Sequence, residues 1–213
     1  MRMGNTLRAY RTVAPDGVGE SLYEDRKSQF FGFAVHAESA EEAVEFRHSV
    51  IERIPSASHY VSAWVLADGS EFYSDAKEPH GSAGVPVLNA VKGAGVLDAA
   101  CVVARVFGGT LLGKGGLMRA YTKAAQLAFA EAEVVLRAPC RDTMASLEYP
   151  LYEQAIKLLE AEGARVLGSD FGSEVTIEFR TLAECTDDTC RKLTELCHGR
   201  VELLVGEESI QSL

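Results

Sequence analysis

An α+β fold in two units is what the sequence predicts, and three observations carry it. Strand-like alternation and helix-like periodicity follow one another through 213 residues with no internal repeat or low-complexity block. A stretch of proline, cysteine and charge, Arg137–Asp142, interrupts them and reads as a linker. Beyond it the elements come in the order β-α-β-β-α-β within about 65 residues, the order of a ferredoxin-like sandwich. The expected domains are therefore 1–140 and 141–213, the second ending in a short polar tail, Gly206–Leu213.

Each element has a local reason. Alternating apolar residues mark strands at Glu20–Asp25 and Ser28–His36. Ser39 then stands as N-cap before an amphipathic helix, Ala40–Arg53, whose first turn is acidic and which Pro55 ends. Tyr60–Ala67 and Glu71–Ser74 flank the Asp68-Gly69 turn as a hairpin. Ser82–Lys92 reads as a short helix closed by Gly93 and Gly95. Ala99–Phe107 is a continuous apolar run, hence a buried strand, and Gly116–Glu133 is an alanine-rich helix. In the second unit the expected strands are Ala145–Pro150, Arg165–Asp170, Glu174–Arg180 and Val201–Val205. The expected helices there are Leu151–Ala161 and Asp187–Cys197.

Composition narrows the class. Apolar residues make up 47% and charged residues 24%, enough apolar material for real cores. No apolar run reaches the ~18 residues a membrane span needs, and Met1–Tyr10 lacks a secretion core or a myristoylation start, so a cytoplasmic protein is expected. Five scattered cysteines suit a reducing compartment. Cys185, Cys190, Cys197 and His198 lack a tight Cys-x-x-Cys pair and read as structural thiols rather than a zinc site, so neither metal nor cofactor is expected.

Charge is uneven. Residues 1–140 hold 14 basic and 16 acidic side chains, net −2, and residues 141–213 hold 7 and 15, net −8. Between Asp98 and Glu131 no acidic residue occurs, while Arg105, Lys114, Arg119 and Lys123 do. An ordinary solvated helix face mixes signs; this one does not.

That basic island contains the segment richest in chemistry, Arg105–Tyr121. Gly108, Gly109, Gly113, Gly115 and Gly116 lie between a buried strand and a helix, where bared amides and the positive end of the helix dipole favour an anion. Arg105, Lys114 and Arg119 supply countercharge. Gly108 to Lys114 also spells G-x-x-x-x-G-K, but Gly115 stands where a nucleoside-triphosphate loop needs Ser or Thr for magnesium. The alternative is that the glycines serve close helix–sheet packing. A second segment, Ser74 to Gly84, offers Ser74, Asp75, Glu78, His80 and Ser82, with His59 upstream, as a second face of the site. Its plainer reading is a structured turn with Ser82 capping the next helix. No catalytic residue is assigned.

Taken together these segments resemble the YigZ/IMPACT family, bacterial proteins with a eukaryotic translation-regulator relative. The resemblance rests on Lys27-Ser28-Gln29-Phe30, Ala57-Ser58-His59, Ser74–Pro86 and the ordered run Arg105–Tyr121. Ala76 and Lys77 replace the family's Asp-Gly, Ser82 its Thr and Val106 its Tyr. The resemblance implies a first domain like domain IV of elongation factor G and a second like its domain V. It also implies RNA, the ribosome or a translation-associated protein as partner. The leading expectation is an anion-binding, RNA- or ribosome-associated protein in translation or stress regulation. The alternatives are an enzyme or sensor for a small phosphorylated metabolite and a protein-interaction module. A concave pocket joining both segments would favour the metabolite, and an open basic face would favour RNA.

Overall fold

The computed structural model describes residues 9–212. They divide into two compact units: Arg11–Val135, and a second made of residues 136–212 with residues 9 and 10. The boundary thus falls a few residues before the expected 140/141 division. The readings made on the first eight residues lie outside the described residues.

The first unit contains β1 (Tyr10–Val13, whose first residue belongs to the second unit), β2 (Val18–Asp25), β3 (Ser28–His36), α1 (Ala40–Arg53), β4 (His59–Val65), β5 (Glu71–Ser74), α2 (Gly84–Gly93), β6 (Ala99–Val106) and α3 (Gly113–Glu131). Its five-stranded sheet runs β2-β3-β6-β4-β5, antiparallel throughout. Strand alternation sorts side chains between two faces. Phe30, Ala34, Val61, Ala63, Cys101 and Val103 join a core with α2 and α3, whereas Phe33, Val35, Trp64 and Val102 pack on the face that carries α1.

Helix α1 forms where the local signals put it: the Ser39 hydroxyl accepts the Glu42 amide and Glu41 and Glu42 sit in the first turn. Helix α3 approaches the sheet unusually closely because β2 and β3 present glycine to it. A Cβ on Gly32 would lie 2.6 Å from the Ala124 carbonyl oxygen, and one on Gly19 2.1 Å from that of Ala128. The small alanines of α3 at 120, 124 and 128, all fully buried, complete that fit. Burial pushes the Cys101 thiol up to about 12, which makes it an inert core group.

The second unit comprises β7 (Val134–Leu147, whose first two residues belong to the first unit), α4 (Tyr152–Ala161), β8 (Arg165–Phe171), β9 (Val175–Leu182), α5 (Thr186–Leu196), β10 (Glu202–Val205) and β11 (Ser209–Ser212). β10 pairs with β7, β7 with β9 and β9 with β8, all antiparallel. Numbered within the unit, that is the 4-1-3-2 order of the ferredoxin-like arrangement. One face holds the core, with Ala145, Leu147, Ile177 and Phe179 against Ala155, Leu159 and Leu193 of the two helices.

Two expectations need correction. Arg137–Asp142 is not a linker but the middle of β7, bonded to Leu182–Arg180 on β9 and to Ser209–Ser212 on β11. Pro139 fits because the β9 ladder begins one residue later, at Cys140. Within the polar tail Ser209–Ser212 form β11, whose partner is β7. Among the described residues no helix is long and apolar enough to cross a membrane.

Candidate functional site

Two sequence-distant segments meet at one cavity in the first unit. It has a volume of about 490 Å³ and is lined by His59, Lys77, Glu78 and Pro79 on one side. Arg105, Phe107, Leu111, Leu112, Gly113, Lys114 and Leu117 line the other. The topology causes the meeting. β4 and β6 are neighbours with His59 opposite Arg105, and the loop after β5 returns beside them.

The floor is a buried polar network. Arg105, only 5% exposed, donates from Nη1 to Glu78 Oε1 at 2.7 Å. The Tyr121 hydroxyl donates to the same oxygen at 2.8 Å. Burial, and then the Glu78 charge beside it, hold the Tyr121 phenol far above its ordinary value, so it stays a donor. His59 donates from Nδ1 to the Ala76 carbonyl at 2.9 Å, which puts Nε2 toward Glu78 Oε1 at 3.9 Å. The guanidinium carbon of Arg105 lies 5.5 Å from the Phe30 ring centre and 5.6 Å from that of Phe107. Arg105 is therefore neutralised and enclosed. Its charge is not available to an anion in the way its place in the sequence suggests.

The second segment is held by Asp75, whose carboxylate accepts the amides of Gly81, Ala83 and Gly84 at 2.8, 3.1 and 2.8 Å. Burial opposes that charge. The three amides, with His80 nearby, outweigh it and hold the Asp75 carboxyl below the usual range. Asp75, not Ser82, thus closes the start of α2. Ser82 is fully buried and donates to the Pro79 carbonyl. Ser74 accepts the Ala76 amide at 3.2 Å, and His80 is almost wholly exposed with Nδ1 3.6 Å from Asp75. Neither Ser74, Asp75, His80 nor Ser82 lines the cavity; of the expected second face, His59 and Glu78 do.

Because its folded-state value is depressed, Asp75 contributes stability above its unfolded value of about 3.9, and this is lost as pH falls through the folded value. Asp75→Ala is expected to cost about 2–3 kcal/mol at pH 7. The gap from wild type, read by urea denaturation, should shrink below about pH 4. A gap that stays constant down to pH 2.5 would contradict a charged Asp75.

The glycine segment divides its labour. Gly108 is packing: a Cβ there would lie 2.0 Å from the Lys27 carbonyl carbon, and its amide donates to Ser28 Oγ at 3.1 Å. Gly109 and Gly113 adopt φ of 83° and 70°, conformations that favour glycine. Lys114, Gly115 and Gly116 lie inside the first turn of α3, which begins three residues before the expected Gly116. No side chain caps that turn. Arg119 is exposed one turn further on.

Sequence reasoning missed four contributors. Lys77 lines the cavity and follows Ala76 in the left-handed region (φ 70° and 47°), local strain of the kind that collects at functional sites. Tyr121 lies on the apolar stripe of α3 with Leu117, Ala120 and Ala124; a hydroxyl on such a stripe needs a buried acceptor, and that was the available signal. Phe107 is 45% exposed at the cavity edge. Arg26 donates from Nη1 to the Leu111 carbonyl at 3.5 Å.

Among the described residues Arg26, Lys27, Lys77, Lys114, Arg119 and Lys123 form no ion pair within 4 Å, in contrast to Arg53 with Glu20 and Lys92 with Glu71. Of these cations, Lys77 and Lys114 line the cavity, and Arg26 and Lys27 touch its glycine loop. Arg119 and Lys123 share a shallow groove on α3 with Tyr23 and Met118.

Comparison with known proteins gives the chain's family and fold relatives. The Impact N-terminal domain matches residues 26–129, and a domain of unknown function, DUF1949, matches residues 146–200. The chain is 31% identical over 200 residues to "IMPACT family member YigZ" of Escherichia coli (strain K12), covering 92% of this chain and 97% of that protein. It is 31% identical over 205 residues to "IMPACT family member YvyE" of Bacillus subtilis (strain 168), covering 94% and 93%. A solved structure titled "Crystal structure of an hypothetical protein" superposes with a TM-score of 0.62 at 28% identity, covering 95% of this chain and all of that one.

Proposed function

The chain belongs to the IMPACT family, and from that premise we propose that it is a polyanion-binding protein whose occupant is single-stranded RNA. The observation that carries this is the cluster of cations without ion pairs around the cavity and along α3. Exposed charges of one sign on one side of a cavity raise the local potential and draw in ligands of the opposite sign. The first turn of α3, uncapped and carrying Lys114, adds backbone amides and the positive end of a helix dipole at the same place. A phosphate backbone is the ligand that meets several such cations at once. The elongation factor G domains and the translation-regulator relative that the family resemblance implies are in keeping with RNA in a translational setting.

One observation favours a second reading. The cavity is concave, joins both segments and has the volume of a small-molecule site, so a small phosphorylated metabolite would also fit the cations lining it. The test uses the intact chain in two assays: fluorescence anisotropy with a ten-nucleotide single-stranded RNA at 50 mM salt, and a melting-temperature screen with nucleotides and sugar phosphates. RNA binding supports the first reading. Stabilisation by one phosphorylated compound without RNA binding replaces it with the second. Neither response overturns both.

A further inference from the structure

Arg105 is unavailable as an anion ligand, which raises the question of what its fixed position does. Its guanidinium lies over the Phe107 ring, 5.6 Å from the centre, and is itself held by Glu78 and, through Glu78, by Tyr121. The backbone beyond Phe107 is held as well. Gly108 abuts the turn at Lys27 with no room for a side chain, and its amide is bonded to Ser28. Phe107 thus stands on an anchored stretch of backbone, backed on one side by a cation, yet 45% exposed. Leu111, 82% exposed, lines the same cavity. A site meant only for phosphate needs neither apolar group.

We propose that Phe107 is a stacking platform for a single unpaired nucleobase, whose phosphate is taken by Lys77 and Lys114 in the same cavity. A nucleotide unit is the ligand chemistry that supplies a flat π-face and an anion at neighbouring positions, and stacking tolerates any base. Arg105 and Glu78 then act as positioning residues: they hold the ring rather than touch the ligand. This inference rests on the reading of the cavity as a phosphate-binding site, and adds to it the part of the ligand that the cations do not recognise.

The experiment compares wild type, Phe107→Ala and Phe107→Tyr with three probes: a ten-nucleotide single-stranded RNA, inorganic polyphosphate of similar charge, and AMP. Melting curves check that all three proteins fold. Phe107→Ala is expected to weaken RNA binding about tenfold, Phe107→Tyr to keep it, and polyphosphate binding to stay the same in all three. Binding of AMP, lost in Phe107→Ala, would support the same platform with a free nucleotide as its source. RNA binding unchanged in Phe107→Ala, or RNA and polyphosphate weakened equally, would overturn the stacking role while leaving the phosphate site standing. Failure of wild type to bind any of the three would remove the phosphate site itself.

Discussion

Replacing Glu78 by alanine is expected to destabilise the first unit by about 3–5 kcal/mol, because it strands a buried guanidinium and a buried hydroxyl together. Arg105 Nη1 and the Tyr121 hydroxyl both donate to Glu78 Oε1, and the side chains of Glu78 and Arg105 are 3% and 6% exposed. Arg105 Nε has no hydrogen-bond partner, so the guanidinium already sits at the limit of its satisfaction between two rings. Glu78→Gln keeps an acceptor of the same shape without the charge and should lose clearly less. Tyr121→Phe removes one bond to a charged group and should cost about 1.5–3 kcal/mol. Urea denaturation of the three variants checks the order. If Glu78→Ala loses under about 1 kcal/mol, the network does not hold Arg105 in place.

The second large effect concerns binding rather than folding. The combined change Lys114→Ala, Arg119→Ala and Lys123→Ala removes three exposed cations from α3. Alanine is the strongest helix former, so the helix should not suffer. If each cation meets one phosphate, each contributes a salt-dependent factor of about fivefold at 0.1 M, and together about a hundredfold. The same three changes in a protein that binds a small metabolite deep in the cavity would act mainly through Lys114. Single variants therefore separate the cases: a loss spread over all three positions belongs to a polyanion lying along α3.

Much of this fold is legible from local signals. Ser39 with its acidic first turn marks α1, the Asp68-Gly69 turn marks the β4–β5 hairpin, and the βαββαβ order of the second unit is written in its apolar alternation. What was not legible depends on distant partners. Arg137–Asp142 looks like a linker because its strand character comes from β9 and β11, roughly 40 and 70 residues later, rather than from its own composition. The start of α3 was missed because glycines at 113, 115 and 116 are poor helix formers; the packing of Leu117, Ala120 and Tyr121 overrides that propensity.

The site shows the same division. The residues of the glycine segment could be found by type and spacing, and Gly109 and Gly113 do adopt glycine conformations there. The state of Arg105 could not be found that way. Its partner Glu78 lies 27 residues earlier and meets it only because β4, β6 and the loop after β5 converge. Position in the sequence counted Arg105 as free charge, and the fold spends that charge on Glu78.

The most direct test of the account is the salt dependence of RNA binding by the intact chain. With Lys77, Lys114, Arg119 and Lys123 each meeting a phosphate, log K should fall against log salt with a slope of about −3, roughly fiftyfold weaker binding at 200 mM than at 50 mM. The α3 triple variant should show a slope of about −1. A wild-type affinity that is flat in salt, or no binding at 50 mM, would contradict the central claim that these unpaired cations are there for a polyanion.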